Sequence, residues 1–379
     1  MALMSGQGVC QSQPRFQIKA SEPRVTILAT MNFAGNSERH AVVDVGTNSV
    51  KLLVADVGHE LRPVLELART TRLGEGSFHT GRLQREAIAR TVVAVTELVA
   101  KAAELGPVSL RIVATCATRE ARNGQELVQA IFKATGLSVE ILSGLEEAAQ
   151  AFRGVMSEPG IGRRPVLIVD VGGGSTEWVV GEDGFTQFTT STRLGTSRLL
   201  EMFPPSDPPT PGQLARTRRA VTDFLSEAVC PQMRPVLAAF CGRPISLVGV
   251  GGASKSLAGL TTAPAAVAAA LVVLRAEQIS AQVERLWGLP LQERRKLSGL
   301  APEKADVILA GAVIFEAVMR QFDFTELIHS SRGLRTGILM TSRTQAAKPD
   351  AHGRHPIPVP PLTGLWEKQP PPAIIHQRA

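Results

Sequence analysis

Two stretches of this chain are written on one plan. The first reads Ala41-Val-Val-Asp44-Val-Gly46-Thr47-Asn48-Ser49-Val-Lys51-Leu-Leu-Val54. The second reads Val166-Leu-Ile-Val-Asp170-Val-Gly172-Gly173-Gly174-Ser175-Thr176-Glu177-Trp-Val-Val180. Each is an apolar run closing on Asp-Val-Gly, then a short polar turn, then a second apolar run, the pattern of a strand–turn–strand unit. Glycine in such a turn lets backbone N–H groups approach an anion, and Ser and Thr hydroxyls add donors. A carboxylate at the strand end, Asp44 or Asp170, can hold a metal ion against a bound phosphate. One such turn would read as an ordinary glycine hairpin. Two in matched register imply duplicated halves facing each other across a cleft that grips phosphate.

Further blocks accompany the pair: Arg72-Leu-Gly-Glu-Gly76, Ala114-Thr-Cys-Ala-Thr-Arg119-Glu-Ala-Arg-Asn123-Gly, Ser143-Gly-Leu-Glu-Glu147-Ala, Val248-Gly-Val-Gly-Gly-Ala-Ser-Lys-Ser-Leu-Ala258, Lys304-Ala-Asp306 and Arg332-Gly-Leu-Arg-Thr336-Gly337. Taken together, in this order and over roughly residues 40–343, they resemble the exopolyphosphatase / guanosine pentaphosphate phosphohydrolase (Ppx/GppA) family. The resemblance implies an α/β chain with a duplicated actin-like (ribonuclease-H-like) ATPase fold, two domains around a central cleft. It also implies the family's short form, without an added C-terminal His/Asp module. Two departures stand out: Thr336 where many relatives carry Glu, and Lys304 where Arg is common.

Ser143-Gly-Leu-Glu146 has the spacing of a capping box, which gives Glu146 a structural task. Glu147 is left off the apolar stripe of the following helix, near its positive end. By position it serves equally as a dipole partner, worth about 0.3–1 kcal/mol, or as a base for an attacking water. The resemblance selects the second, because Glu147 matches the family's catalytic glutamate. Glu177, just past the second turn, needs a cation or an ordered water between itself and phosphate. Asp170 and Glu177 are therefore assigned to metal and water organisation, with Asp44 completing the metal side and Mg2+ as the ion. Gly46, Thr47, Asn48 and Ser49 form the first phosphate loop; Gly172, Gly173, Gly174, Ser175 and Thr176 form the second. Arg119 resembles the family's phosphate-contacting arginine, and its forked guanidinium suits a pair of phosphoryl oxygens. Lys51 shares a strand face with Ser49 and reads either as a phosphate contact or as a solvated strand residue. Arg216, Arg218, Arg219, Arg294, Arg295 and Lys296 read either as a basic track for a long polyanion or as wet helix faces.

The net charge of +7 suits a polyanionic partner. Nucleic acid is disfavoured, because aromatics are 4% of residues with no tyrosine, leaving little for base stacking. The four cysteines show no C-x-x-C spacing, and Cys116, Cys230 and Cys241 read as buried thiols in a reducing compartment. The longest uncharged apolar stretch, 263–274, is too short to span a bilayer. A cytoplasmic protein is expected, and family analogy suggests a homodimer. There is no G-x-x-x-x-G-K-[ST] loop and no H-E-x-x-H, so neither a P-loop enzyme nor that zinc hydrolase class is indicated.

Strands are expected at 108–114, 138–142, 166–171 and 245–250, and helices at 84–104, 125–135, 213–240, 264–287 and 303–320. Domain I is expected over 40–143, with 326–343 packing back on it, and domain II over 144–325. Disordered tails are expected over 1–39 (with Met31 as a candidate start) and over the proline-rich 344–379. The leading expectation is Mg2+-dependent hydrolysis of the terminal phosphate of inorganic polyphosphate by a Glu147-activated water. Guanosine pentaphosphate hydrolysis would use the same groups. An ATP-binding kinase or phosphotransferase and a non-catalytic phosphate or nucleotide sensor are the remaining alternatives.

Overall fold

The computed structural model describes residues 37–262 and 271–346. The expectations for residues 1–36, including Met31, and for 347–379 lie outside the described residues.

The first sheet is built from β1 (Glu38–Val45), β2 (Ser49–Val57), β3 (Leu61–Thr70), β4 (Ser109–Ala114) and β5 (Val139–Ile141), in the order β3-β2-β1-β4-β5. The second is built from β6 (Val166–Val171), β7 (Thr176–Glu182), β8 (Phe185–Thr192), β9 (Ser246–Val250), β10 (Val272–Arg275) and β11 (Glu326–His329), in the order β10-β11-β9-β6-β7-β8. Within each half the first three strands run as an antiparallel meander, and the fourth returns parallel to the first. The fifth, β5 or β11, then pairs parallel to the fourth. The second half adds β10 as an antiparallel edge. The duplication read from the two turns therefore extends through whole sheets, and the fold class is the one expected.

The central strands are apolar on both faces because both faces are covered. Ala41, Val43 and Val45 of β1 join one cluster with the helices Arg85–Ala103 and Gly124–Thr135, while Val42 joins another with Ile338 and Leu339. In β6, Leu167, Val169 and Val171 face the large second core, and Val166 and Ile168 face Ala148, Phe152 and Val155. Alternate burial on opposite faces is the period-two signature of a strand.

The helices Gly144–Met156 and Leu334–Ala346 cross at close range. A Cβ on Gly337 would lie 1.9 Å from the Gln150 carbonyl oxygen, and one on Gly154 would lie 2.2 Å from that of Gly333. Backbone approach this tight leaves room only for glycine. The Ser143 cap is present as expected: its hydroxyl accepts from the Glu146 N–H, and the Glu146 carboxylate accepts from the Ser143 N–H at 2.7 Å.

Several expectations are corrected. Of the region 264–287, residues 264–270 lie outside the described residues; in the rest β10 precedes a helix that starts at Ala276. The 213–240 helix divides into Pro211–Phe224, a wider π turn Leu225–Val229, and Cys230–Ala238. Pro231 has no N–H to return to the preceding turn, which accounts for the break. The 303–320 helix begins at Ile308, after a 3-10 turn Pro302–Lys304. The segment 326–343 divides, because β11 belongs to the second sheet and only Leu334–Ala346 lies on the first. That helix also continues two residues past Thr344, the expected start of the tail. Cys241 is exposed rather than buried.

Candidate functional site

Both polar turns open into one cavity of about 470 Å³ between the halves. Its lining includes Asp44, Gly46, Thr47, Asn48, Ser49 and Lys51 from the first unit, and Asp170, Gly172, Gly173, Gly174, Ser175 and Glu177 from the second, together with Glu147. The turns nearly touch: a Cβ on Gly173 would sit 2.8 Å from the Thr47 Cβ. Each turn is closed by an equivalent bond, Gly46 N–H to Ser49 O at 3.1 Å and Gly172 N–H to Ser175 O at 2.9 Å.

The matching extends to register. Asp44 lies opposite Lys51 across β1 and β2, and Asp170 lies opposite Glu177 across β6 and β7. Lys51 and Glu177 thus occupy equivalent positions with opposite charge. A symmetric scaffold here carries asymmetric chemistry, a cation on one wall and an acid on the other. Lys51, partly exposed, lines the cavity, and its charge opposes the rise in the pKa of both aspartates.

Four carboxyl groups share this poorly solvated floor. Burial raises Asp44, against the pull of Lys51 and Arg335. Burial also raises Asp170, to about 6. Glu147, 7% exposed, is pushed up to about 7 by burial, with Arg119 opposing and the two aspartates adding to the rise. Glu177, 4% exposed, lies well above the usual carboxylate range through burial and the charges of Glu147 and Asp170. The Ser191 hydroxyl donates to Glu177 at 2.8 Å and fixes its orientation. Carboxyl groups raised toward neutrality in a cleft are suited to proton transfer.

Two expected phosphate contacts are placed differently. Thr176 is fully buried, and its hydroxyl donates to the Leu194 carbonyl at 2.5 Å, away from the cavity. Arg119 binds the Glu147 carboxylate and the Leu142 carbonyl, the latter at 2.6 Å, so it orients the acid in this geometry. Part of the basic track is engaged internally: Arg218 pairs with Glu316 and Glu284, while Arg219 stays exposed beside Asp223. Lys296 pairs with Glu293, and Arg294 is buried against the Ala305 carbonyl.

A third duplicated element, not among the sequence expectations, is present in the sequence. Thr71-Arg72-Leu73-Gly74 follows β3, and Thr192-Arg193-Leu194-Gly195 ends β8 and follows it. Each block backs its own turn. Gly74 N–H donates to Thr47 O at 2.8 Å, while the N–H groups of Thr196 and Ser197 donate to Gly172 O and Gly173 O at 3.0 and 2.8 Å. Each block's arginine also crosses to the other half, Arg72 to Asp306 at 2.6 Å and Arg193 to Glu120 at 2.8 Å. Lys304 joins these bridges through the Ser49 hydroxyl at 2.5 Å.

Comparison with known proteins agrees with this geometry. Residues 52–346 match the model of the Ppx/GppA phosphatase family. The chain is 35% identical over 293 residues to exopolyphosphatase 2 of Mycobacterium tuberculosis, covering 75% of this chain and 90% of that one. It is 27% identical to a guanosine-5'-triphosphate,3'-diphosphate pyrophosphatase of Vibrio vulnificus, covering 86% of this chain and 63% of that one. Among solved structures, a crystallised exopolyphosphatase-like protein superposes with TM-score 0.73 at 29% identity, covering 82% of this chain and 99% of that one. The Aquifex aeolicus Ppx/GppA family member gives TM-score 0.66 at 30% identity, covering 83% and 100%. On the duplicated sheets, the facing turns and these matches together, the chain is an enzyme and belongs to the Ppx/GppA phosphatase family.

Proposed function

We propose that this protein removes the terminal phosphate of inorganic polyphosphate, using a water that Glu147 deprotonates and Mg2+ as the accompanying ion. The observation that carries the reading is the meeting of two buried acids, Glu147 and Glu177, in the cavity onto which both glycine turns open. A general base works best with a pKa near the operating pH, and Glu147, at about 7, satisfies that requirement. Glu177, held by Ser191, would accept the water's second hydrogen bond. The N–H groups and hydroxyls of the two turns would hold consecutive phosphoryl groups from opposite walls, with Lys51 countering their charge. Arg119 would keep the base aimed. Phosphoryl transfer passes through a loose transition state, so positioning and charge stabilisation dominate its catalysis.

The residues fit a magnesium ion that arrives with its substrate. Asp44 Oδ1 is buried without a hydrogen-bond partner, and Asp170 stands at the mirrored position. Among the described residues no group of three or more His, Cys, Asp or Glu side chains is arranged to hold a metal. Mg2+ commonly takes only one or two carboxylates and completes its shell with phosphate and water oxygens. Asp44 and Asp170 would hold it, with Glu177 ordering a water beyond them, and the ion would neutralise phosphoryl oxygens. No helix among the described residues is long and apolar enough to cross a membrane. A cytoplasmic location and a homodimer complete the proposed reading, the latter by family analogy alone. Polyphosphate is favoured over guanosine pentaphosphate because the chain matches the exopolyphosphatase relative over most of that relative's length.

The test is phosphate release from polyphosphates and from guanosine pentaphosphate, with and without Mg2+. Glu147→Gln is expected to lower kcat at least about 100-fold, the usual worth of a general base, with an unchanged thermal midpoint. Undiminished turnover in that variant would remove the mechanism. Faster release from guanosine pentaphosphate than from any polyphosphate would replace the substrate and keep the chemistry.

A further inference from the structure

The carbonyl oxygens of the three turn glycines, Gly172, Gly173 and Gly174, are taken from behind. Gly172 O accepts from Thr196 N–H, and Gly173 O accepts from Ser197 and Arg198 N–H at 2.8 and 3.1 Å. Gly174 O accepts from the Arg198 Nε–H at 2.7 Å. In a planar trans peptide the carbonyl and the following N–H point in opposite directions. Pinning these three carbonyls therefore turns the N–H groups of Gly173, Gly174 and Ser175 the other way, toward the cavity they line. The first two peptides are fixed by backbone, and the third is fixed by a side chain. The equivalent place after the first turn holds Ser77, whose hydroxyl bonds Gly74 O and not the turn.

The Nη2 of that guanidinium is held by the opposite half. Arg198 is 7% exposed; its Nη2 donates to both Glu120 oxygens at 3.0 and 2.9 Å. Its Cζ lies over the Phe78 ring, 4.1 Å from the centroid. Glu120 and Phe78 both come from the first half, and Arg193 braces Glu120 from its more exposed side. Space around the turn is tight, since a Cβ on Gly174 would lie 2.6 Å from Cys116 Sγ and 2.8 Å from the Phe78 ring. A planar fork that bonds two acceptors and stacks on an aromatic face is a task lysine does not reproduce.

We propose that Arg198 is a positioning residue that makes the second anion cradle depend on contact between the two halves: Glu120 and Phe78 hold its guanidinium, and the guanidinium holds the Gly174–Ser175 peptide so that the Ser175 N–H faces the bound phosphoryl group. The inference rests on the proposed polyphosphate chemistry for its ligand but not for its geometry. It makes Glu120, which touches neither turn, a determinant of anion affinity.

The experiment measures binding of inorganic tripolyphosphate to the full chain by calorimetry, with phosphate release and thermal unfolding alongside. Arg198→Lys is expected to weaken tripolyphosphate about tenfold or more and to raise KM in step, the scale of loss that a displaced binding group brings. Glu120→Gln, altered in the other half, is expected to weaken it about threefold with an unchanged melting midpoint. In the double variant the two losses should not multiply, because both act through one guanidinium. Unchanged affinity in Arg198→Lys, unchanged affinity in Glu120→Gln, or multiplying losses would each overturn the proposal. Should wild-type protein bind tripolyphosphate but hydrolyse no phosphoanhydride, the functional reading fails while the affinity comparison still decides the role of Arg198. Should wild-type protein bind no tripolyphosphate, the proposal falls.

Discussion

Gly173 shows how much one absent carbon can decide. Its neighbour across the cleft is Thr47, with only 2.8 Å available between a Cβ there and the Thr47 Cβ. Gly173→Ala must push the two turns apart by a few tenths of an ångström or more. A misplacement of about 1 Å in a positioned site can cost about 100-fold in rate, so for this smaller shift we expect kcat to fall about tenfold while thermal stability changes little. Steady-state phosphate release with a melting curve checks this; full activity would mean that the turns do not act together. Glu147 carries a different lesson. Its place at the start of a helix says dipole partner, yet burial overrides the helix end and raises the acid toward neutrality. Thr176 is the counterexample: its type and position promised a phosphate donor, but the register of β7 turns its hydroxyl into the wall.

Among the elements, the helix Gly144–Met156 was the most legible. Ser143 and Glu146 named its start and its cap, but not its buried face: Leu145 is exposed, and Glu147, expected off the apolar stripe, is buried beside Ala148, Ala151 and Phe152. Its cap also sets the angle at which Glu147 enters the cleft. Ser143→Ala should cost about 1 kcal/mol of stability, the usual worth of an N-cap, and should lower kcat in addition, measured by urea unfolding and phosphate release. A loss of stability without any change in kcat would separate the cap from the base. The edge strands were the least legible. In β8 every residue is at least partly exposed, and β3 alternates weakly, so neither offers the continuous apolar run that marked β1 and β6. The second Thr-Arg-Leu-Gly block was readable as a repeat, but its purpose, backing a turn from behind, needs the strands to be paired first.

Across the whole molecule, ion pairs reach between the halves in mirrored fashion, and one buried histidine couples stability to pH. His329, 2% exposed, has its pKa lowered to about 4 by burial, and its Nε2 has no hydrogen-bond partner. A histidine depressed below its unfolded value of about 6.5 is neutral in the folded protein, while the unfolded chain takes up a proton. Stability from this group is therefore full above that unfolded value and falls as the pH drops toward 4, by at most roughly 3 kcal/mol. Urea midpoints between pH 7 and pH 4.5 should fall more steeply for wild-type protein than for His329→Asn. Equal slopes would show that His329 is not the group responsible.

What the sequence determined was local and periodic: two strand–turn–strand units, a capped helix, a family order of motifs, and the pair of acids available for chemistry. These follow from neighbours a few residues apart, where side-chain period and backbone freedom act directly. What only the tertiary structure decided was which groups meet. Arg119 closes on Glu147, Arg198 spans from Gly174 to Glu120, and Lys51 faces Glu177's wall because the sheets bring distant segments within a few ångströms. Burial then sets the ionisation of the acids, and burial is a property of the assembled halves, with no counterpart in the order of residues along the chain.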